Sequence, residues 1–168
     1  HTLRRLGLDL NGDGRIDTAD VRVLSRAQAR RIFIDHYFTE PRIGWLPDAL
    51  HSSVFDMNVN AGRWSIRLLQ RLCTEMGFRT SEDGRIGPRT RQTAAAAFAA
   101  APDHLVDAYA ISRRNYYYRL ADRRPASRKY ARRRDGGKGG WITRAEEFMT
   151  PRYHLTIAQH AERTSAWD

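Results

Sequence analysis

The chain has 168 residues, 41% hydrophobic and 29% charged, with a formal net charge of +10 at pH 7. This composition excludes a disordered chain and suffices for one good core or two small ones. The longest apolar run, Ala94 to Ala101, is far short of the roughly 20 residues that span a bilayer, and the single Cys73 excludes an internal disulfide and reads as a small buried hydrophobe. The positive charge implies an anionic partner such as nucleic acid, phospholipid, lipopolysaccharide or a cell-wall polymer. The first residue is His1, without a recognisable leader, and the sequence reads as a fragment.

Thr2 to Leu8 reads as the end of a helix, with Leu3 and Leu6 on one face, and it runs into Asp9-Leu10-Asn11-Gly12-Asp13-Gly14-Arg15-Ile16-Asp17-Thr18-Ala19-Asp20. Asp9, Asn11 and Asp13 fill positions one, three and five of a calcium loop, Gly14 sits at the sharp turn, and Arg15 offers a backbone carbonyl at position seven. Asp17 and Asp20 complete positions nine and twelve. Calcium as a structural ion is the expectation, because four carboxylates in twelve residues repel one another without a cation. The usual final Glu is Asp20 here, as in the dockerin-type variant of the EF-hand that the loop resembles. The alternative is an Asp/Asn/Gly-rich turn that binds nothing.

Beyond the loop, Val21, Val23 and Leu24 form a short exiting turn. Ser25 with Gln28 is a capping box that opens a helix expected to end near Phe38. Pro41, Gly44 and Pro47 mark a loop, and a helix follows over about Asp48 to Asn60, burying Leu50, Val54 and Met57. Gly62 breaks it. The next helix carries Leu68, Leu69, Leu72, Cys73 and Met76 on one side and Arg63, Arg67 and Arg71 on a face expected to be solvated. Pro88 starts the helix of the alanine run, and Pro102 is expected to start another, with Asp103 in its first turn. Six or more helices and no alternating pattern predict an all-α protein, unless a small hairpin lies near residues 77 to 87. From Arg113 to Lys138 there are 11 Lys or Arg against Asp122 and Asp135. Pro125, Ser127 and the Gly136 to Gly140 run make this segment a basic loop before a helix over Trp141 to Met149. His154 to Trp167 forms a last helix or a loosely held tail.

Several short segments share an order and spacing. Tyr37-Phe38, Leu46-Pro47-Asp48-Ala49-Leu50, Val54-Phe55-Asp56, Val59-Asn60-Ala61-Gly62 and Leu69-Gln70-Arg71 resemble the phage-type muramidases of glycoside hydrolase family 108. Asp83-Gly84 with Ile86-Gly87-Pro88 and Thr90 resembles the start of that family's C-terminal peptidoglycan-binding region, and Gly139-Gly140-Trp141-Ile142-Thr143-Arg144 a segment near its end. The resemblance covers roughly residues 1 to 149. It implies a lysozyme-like fold with a muramidase-like region over 1–80, a peptidoglycan-binding-like region over 81–150 and an extension over 151–168.

It also implies hydrolysis of peptidoglycan between N-acetylmuramic acid and N-acetylglucosamine, by a phage- or prophage-encoded protein acting in the bacterial periplasm or cell wall. The expected partners are peptidoglycan and, through Arg113 to Lys138, anionic envelope polymers. Tyr37, Asp56, Asn60 and Gly62 would line the glycan cleft. Asn60 and Tyr37 would hold sugar or N-acetyl groups, and Asp56 would orient water or support the site; alternatively, Asp56 and Asn60 only cap or brace helices. The family's general acid is a Glu in a Glu-Gly-Gly motif, and none of Glu40, Glu75, Glu82, Glu146, Glu147 and Glu162 precedes a Gly-Gly pair. The catalytic residue is therefore expected upstream of His1, or the protein is an inactive relative. Two other classes compete: a non-catalytic wall-binding component of a phage or phage-derived particle, and a nucleic-acid binder that stacks bases on Tyr116, Tyr117 and Tyr118.

Overall fold

A computed structural model describes residues 2–167, with the side chains of all of these except Thr2 and Arg5. Ten α-helices and no strand occur among the described residues, so the protein is all-α; the only extended pairing is an isolated bridge between Arg132 and Lys138. No described helix is long and apolar enough to cross a membrane. The chain divides into two compact units, His1–Glu40 and Pro41–Asp168. The borders expected near residues 80 and 150 fall instead in loops inside the second unit.

The first unit holds α1 (Thr2–Leu6), α2 (Thr18–Val23) and α3 (Arg26–Ile34), and α3 continues into a π-helical turn over Asp35–Thr39. Local chemistry sets two of the helix starts. Asp17 with Asp20 and Ser25 with Gln28 form reciprocal capping boxes, each satisfying backbone N–H groups that a first helical turn leaves free.

The second unit comprises α4 (Asp48–Ala61), α5 (Trp64–Glu75), α6 (Pro88–Ala100), α7 (Leu105–Arg123), α8 (Arg128–Ala131), α9 (Gly140–Glu146) and α10 (Ile157–Thr164). The 19-residue α7 is its axis and packs against α4, α5, α8 and α9. Leu50, Val54 and Met57 of α4, Leu69 and Cys73 of α5, Leu105 and Tyr109 of α7 and Ile142 of α9 are all buried. The Tyr109 hydroxyl donates to the Ser65 carbonyl at 3.0 Å, which removes the cost of burying it. Burial pushes the Cys73 thiol up to about 11, so it stays protonated and packs as an apolar group.

Between α5 and α6 no hairpin forms; the loop is held by one amide. Buried Gln70 donates to Asp83 Oδ1 at 2.8 Å, the Arg85 carbonyl at 3.0 Å and Thr90 Oγ1 at 3.0 Å, and its Oε1 accepts from the Gly84 N–H at 2.9 Å. Gly84 has φ +72°, and a Cβ there would lie 3.0 Å from that of Arg63, so glycine is required on both counts.

Three expectations need correction. α7 starts at Leu105, with Asp107 rather than Asp103 in its first turn, and Pro102 lies in the preceding turn. The Arg stripe of α5 is not simply solvated: Arg71 pairs with Glu82 at 2.8 Å and Arg67 sits over the Trp64 ring at 5.1 Å. Most importantly, Arg113 to Lys138 is not one basic loop. Its first eleven residues are the second half of α7, and Arg113 and Arg114 are 0% and 7% exposed.

The C-terminal segment is a docked helix. Thr156 and Gln159 form its capping box, Arg163 and the Trp167 indole N–H both bond Asp122, and buried His160 meets the Tyr118 hydroxyl at 2.7 Å. Burial holds the His160 imidazole below its ordinary value, near the cationic Lys138 and Arg132 and the acidic Glu146. A depressed His favours the folded state above the unfolded value of about 6.5, and that contribution is lost as pH falls towards the folded value. The melting temperature should therefore fall between about pH 7 and about pH 5, and His160→Gln should flatten that slope in melts followed by circular dichroism.

Candidate functional site

α4 projects Asp56 into the centre of the second unit. Its Oδ2 accepts from Arg113 Nη2 of α7, and its Oδ1 accepts from Arg144 Nε of α9 at 2.6 Å. Arg113 is fully buried, with its guanidinium carbon 5.2 Å from the Phe148 ring centre. Both Asp56 oxygens are thus held by cations, an arrangement that braces three helices. The bond to Asp56 raises the Arg144 guanidinium above its ordinary value. On the neighbouring turn Glu146 repeats the pattern, with Oε1 accepting from Arg114 and the Leu155 N–H and Oε2 from Lys138.

Asn60, one turn beyond Asp56, is exposed, and its Nδ2 donates back to the Asp56 carbonyl at 2.9 Å. Gly62 adopts φ +56° and ψ −134°, closing α4, and its carbonyl accepts from Ser65 N–H and Oγ. Beside them a groove of about 280 Å³ opens. Trp64, Tyr116, Tyr117 and Trp141 form its aromatic walls, and Arg123 and Arg124 stand at its rim. The ring centres of Trp64 and Tyr116 are 5.3 Å apart, and Tyr117 stacks on Trp141 at 4.9 Å with planes 21° apart. No local sequence pattern marks this groove, although Trp141 stands in the Gly139 to Arg144 segment and Trp64 two residues after Gly62.

Tyr37 belongs to the first unit. It packs against Phe33 at 5.0 Å and His36 at 4.7 Å, and lines an apolar groove with Leu3 and Val21.

In the Asp9 to Asp20 loop, Gly12 and Gly14 take φ +76° and +79°. Asp9 accepts from the N–H groups of Gly12 and Gly14, and Asp13 from that of Arg15. Asn11 accepts from Asp13 N–H and donates to Asp13 Oδ2. Asp20 is fully buried and accepts from Leu10, Asn11 and Asp17 N–H. The bonds from Asp17 and Leu10 hold its carboxyl below the usual range. Arg15 is exposed and Asp17 caps α2. The donors are the hard oxygens that calcium takes, but no three acid, His or Cys side chains among the described residues are gathered as a metal-holding group.

No described glutamate has the setting of a glycosidase general acid, a carboxyl raised by an apolar pocket. Glu146 is buried but held by two cations, Glu82 is bound by Arg71 and lowered by it, Glu40 meets His36 at 2.9 Å, and Glu75, Glu147 and Glu162 are exposed.

Residues 64–146, which include Arg144 and most of the aromatic groove, match the family described as Predicted Peptidoglycan domain. Residues 2–62 match the family described as Glycosyl hydrolase 108. The two matches follow one another directly along the chain, the glycosyl hydrolase segment first and the peptidoglycan segment second. No curated protein and no solved structure gives a significant match.

Asp56→Asn should destabilise the chain by about 3 kcal/mol or more, because it leaves the Arg113 charge buried without its counter-ion. Chemical denaturation compared with an exposed control, Asp48→Asn, measures this.

Proposed function

We propose that the complete protein is a peptidoglycan muramidase of endolysin type, cleaving the glycan between N-acetylmuramic acid and N-acetylglucosamine from a lysozyme-like helical region. The observation that carries this reading is the order of the two family matches on one chain, a glycosyl hydrolase segment followed by a peptidoglycan domain. Hydrolysis needs a proton donor for the leaving oxygen, and neither the described glutamates nor Asp56 is set up as one. In this reading the chain contributes glycan holding: in the second unit Asn60 offers an exposed amide, Gly62 fixes the turn beside it and Asp56 braces the helices, while Tyr37 is a glycan-holding phenol of the first unit. Purified cell walls incubated with the complete protein should release fragments with new N-acetylmuramic acid reducing ends, and Asn60→Ala should slow that release about tenfold. Walls left intact by the complete native protein would eliminate the reading.

The action on walls accords with a phage- or prophage-encoded protein working in the periplasm or cell wall, and with an excess of positive charge that favours anionic envelope polymers. Arg113 and Arg114 take no part in such contacts, since both are buried and bound to carboxylates. The nucleic-acid alternative loses its stacking platform: Tyr116, Tyr117 and Tyr118 are 7%, 2% and 2% exposed.

Calcium is proposed as a structural ion of the first unit, held by Asp9, Asn11, Asp13, Asp17 and Asp20 with the Arg15 carbonyl. The support is the donor set and the glycine-dependent winding of the loop. Ion binding would offset repulsion among four carboxylates and so stabilise the folded state. Calcium at about 100 times its dissociation constant would add about 2.7 kcal/mol. Chelation by EGTA should lower the melting temperature and added calcium restore it, whereas an unchanged melt would leave the turn reading.

A further inference from the structure

The groove between α4, α5, α7 and α9 has no part in the bracing of the core, yet it combines features that a purely structural cleft does not need. Trp64 is 37% exposed, with the Tyr116 ring centre 5.3 Å and the Arg67 guanidinium carbon 5.1 Å from its own ring centre. Trp141 packs with Tyr117 and Tyr130, each with its ring centre 4.9 Å away. Rings packed against one another in this way have less freedom to lose when a ligand binds, and polar groups lie beside them in the lining. Arg123 and Arg124 are exposed at the rim, and among the described residues neither is paired with an acid; the nearest acid, Asp122, is taken by Arg163 and Trp167. Asn60, an exposed residue, also lines the groove.

We propose that this groove is a muropeptide-binding site, in which an amino sugar of the glycan strand lies against the Trp64 and Trp141 walls and carboxylates of its peptide stem are bound by Arg123 and Arg124. The inference rests on the peptidoglycan reading and gives it a ligand and a place. Pyranose rings present C–H faces that pack on aromatic surfaces, while an N-acetyl group needs an amide partner such as Asn60. Arginine binds carboxylate through paired N–H groups and remains charged at every working pH. A volume of about 280 Å³ suits one sugar ring with its substituents rather than an extended strand. The same arrangement explains why the stem is part of the ligand: a neutral glycan gives the two rim cations nothing to bind.

The test uses the 168-residue chain and two soluble probes, a disaccharide-tetrapeptide muropeptide and neutral di-N-acetylchitobiose, titrated by calorimetry and tryptophan fluorescence. The native chain should bind the muropeptide more tightly. Arg123→Glu with Arg124→Glu should weaken muropeptide binding about tenfold or more and leave chitobiose binding unchanged, with an unchanged melt because neither arginine has a partner to lose. Trp64→Ala should weaken both probes by a similar factor. Native-like muropeptide affinity in the double Glu variant would overturn the proposal, as would a DNA duplex of matched charge binding more tightly than the muropeptide through the same arginines. Failure of the muramidase reading is distinguishable: intact walls with loss of muropeptide binding in the variants would leave the site standing, while wall cleavage with unaffected binding would remove the site alone.

Discussion

Two adjacent arginines in the middle of α7 constrain most of the second unit. A guanidinium removed from water needs a counter-charge and several acceptors, since an unpaired buried ion costs several kcal/mol. Arg113 and Arg114 leave successive positions of the helix on different sides and take carboxylates from different elements, Asp56 of α4 and Glu146 of α9. Each carboxylate then carries a second cation, Arg144 or Lys138. Such pairs add little net stability compared with an apolar core of the same shape, but they tolerate little displacement. What they fix here is register: α4, α7 and α9 satisfy both knots in one arrangement, and the aromatic groove stands beside them.

The knots explain why sequence segments far apart belong together. Asp56 and Arg144 sit in motifs 88 residues apart and meet at 2.6 Å. The clasp between α5 and α6 follows the same logic: Gln70 of one motif accepts and donates every bond that Asp83, Gly84, Arg85 and Thr90 of the next motif offer it. Short polar motifs in this chain are the two halves of buried contacts. Asp107 adds another such contact, receiving the N–H and hydroxyl of Thr150 and so tying the loop after α9 to the start of α7.

Local chemistry was legible where its partner lies within a few residues. The Ser25–Gln28 capping box, the break at Gly62, Pro88 at a helix start and the buried side of α5 all depend on neighbours in sequence. The run from Arg113 to Lys138 does not disclose its structure in sequence, because charge density says nothing about distant carboxylates: Arg113 and Arg119 look alike in sequence, yet one is buried and the other exposed. For the site, Asp56 and Asn60 could be placed on one helix by their spacing of four. That both oxygens of Asp56 are taken by arginines, and that Trp64 and Trp141 frame a common groove, depends on packing between helices that no local pattern encodes.

The distribution of charge carries the last step. The net +10 suggested one basic arm, but the structure separates the cations by their work. Arg113, Arg114 and Lys138 neutralise buried acids, Arg71 and Arg163 hold Glu82 and Asp122, and Arg128 donates to the Trp167 carbonyl. Arg119 and Arg123 on the final turns of α7, and Arg124 directly after it, are exposed. Long-range attraction to an anionic wall needs only exposed charge and falls with salt, whereas recognition needs charge held beside a shaped surface. Arg123 and Arg124 meet the second condition, because they stand at the end of the helix whose tyrosines line the groove, so the structure that fixes the core also places the cations that the proposed muropeptide site uses.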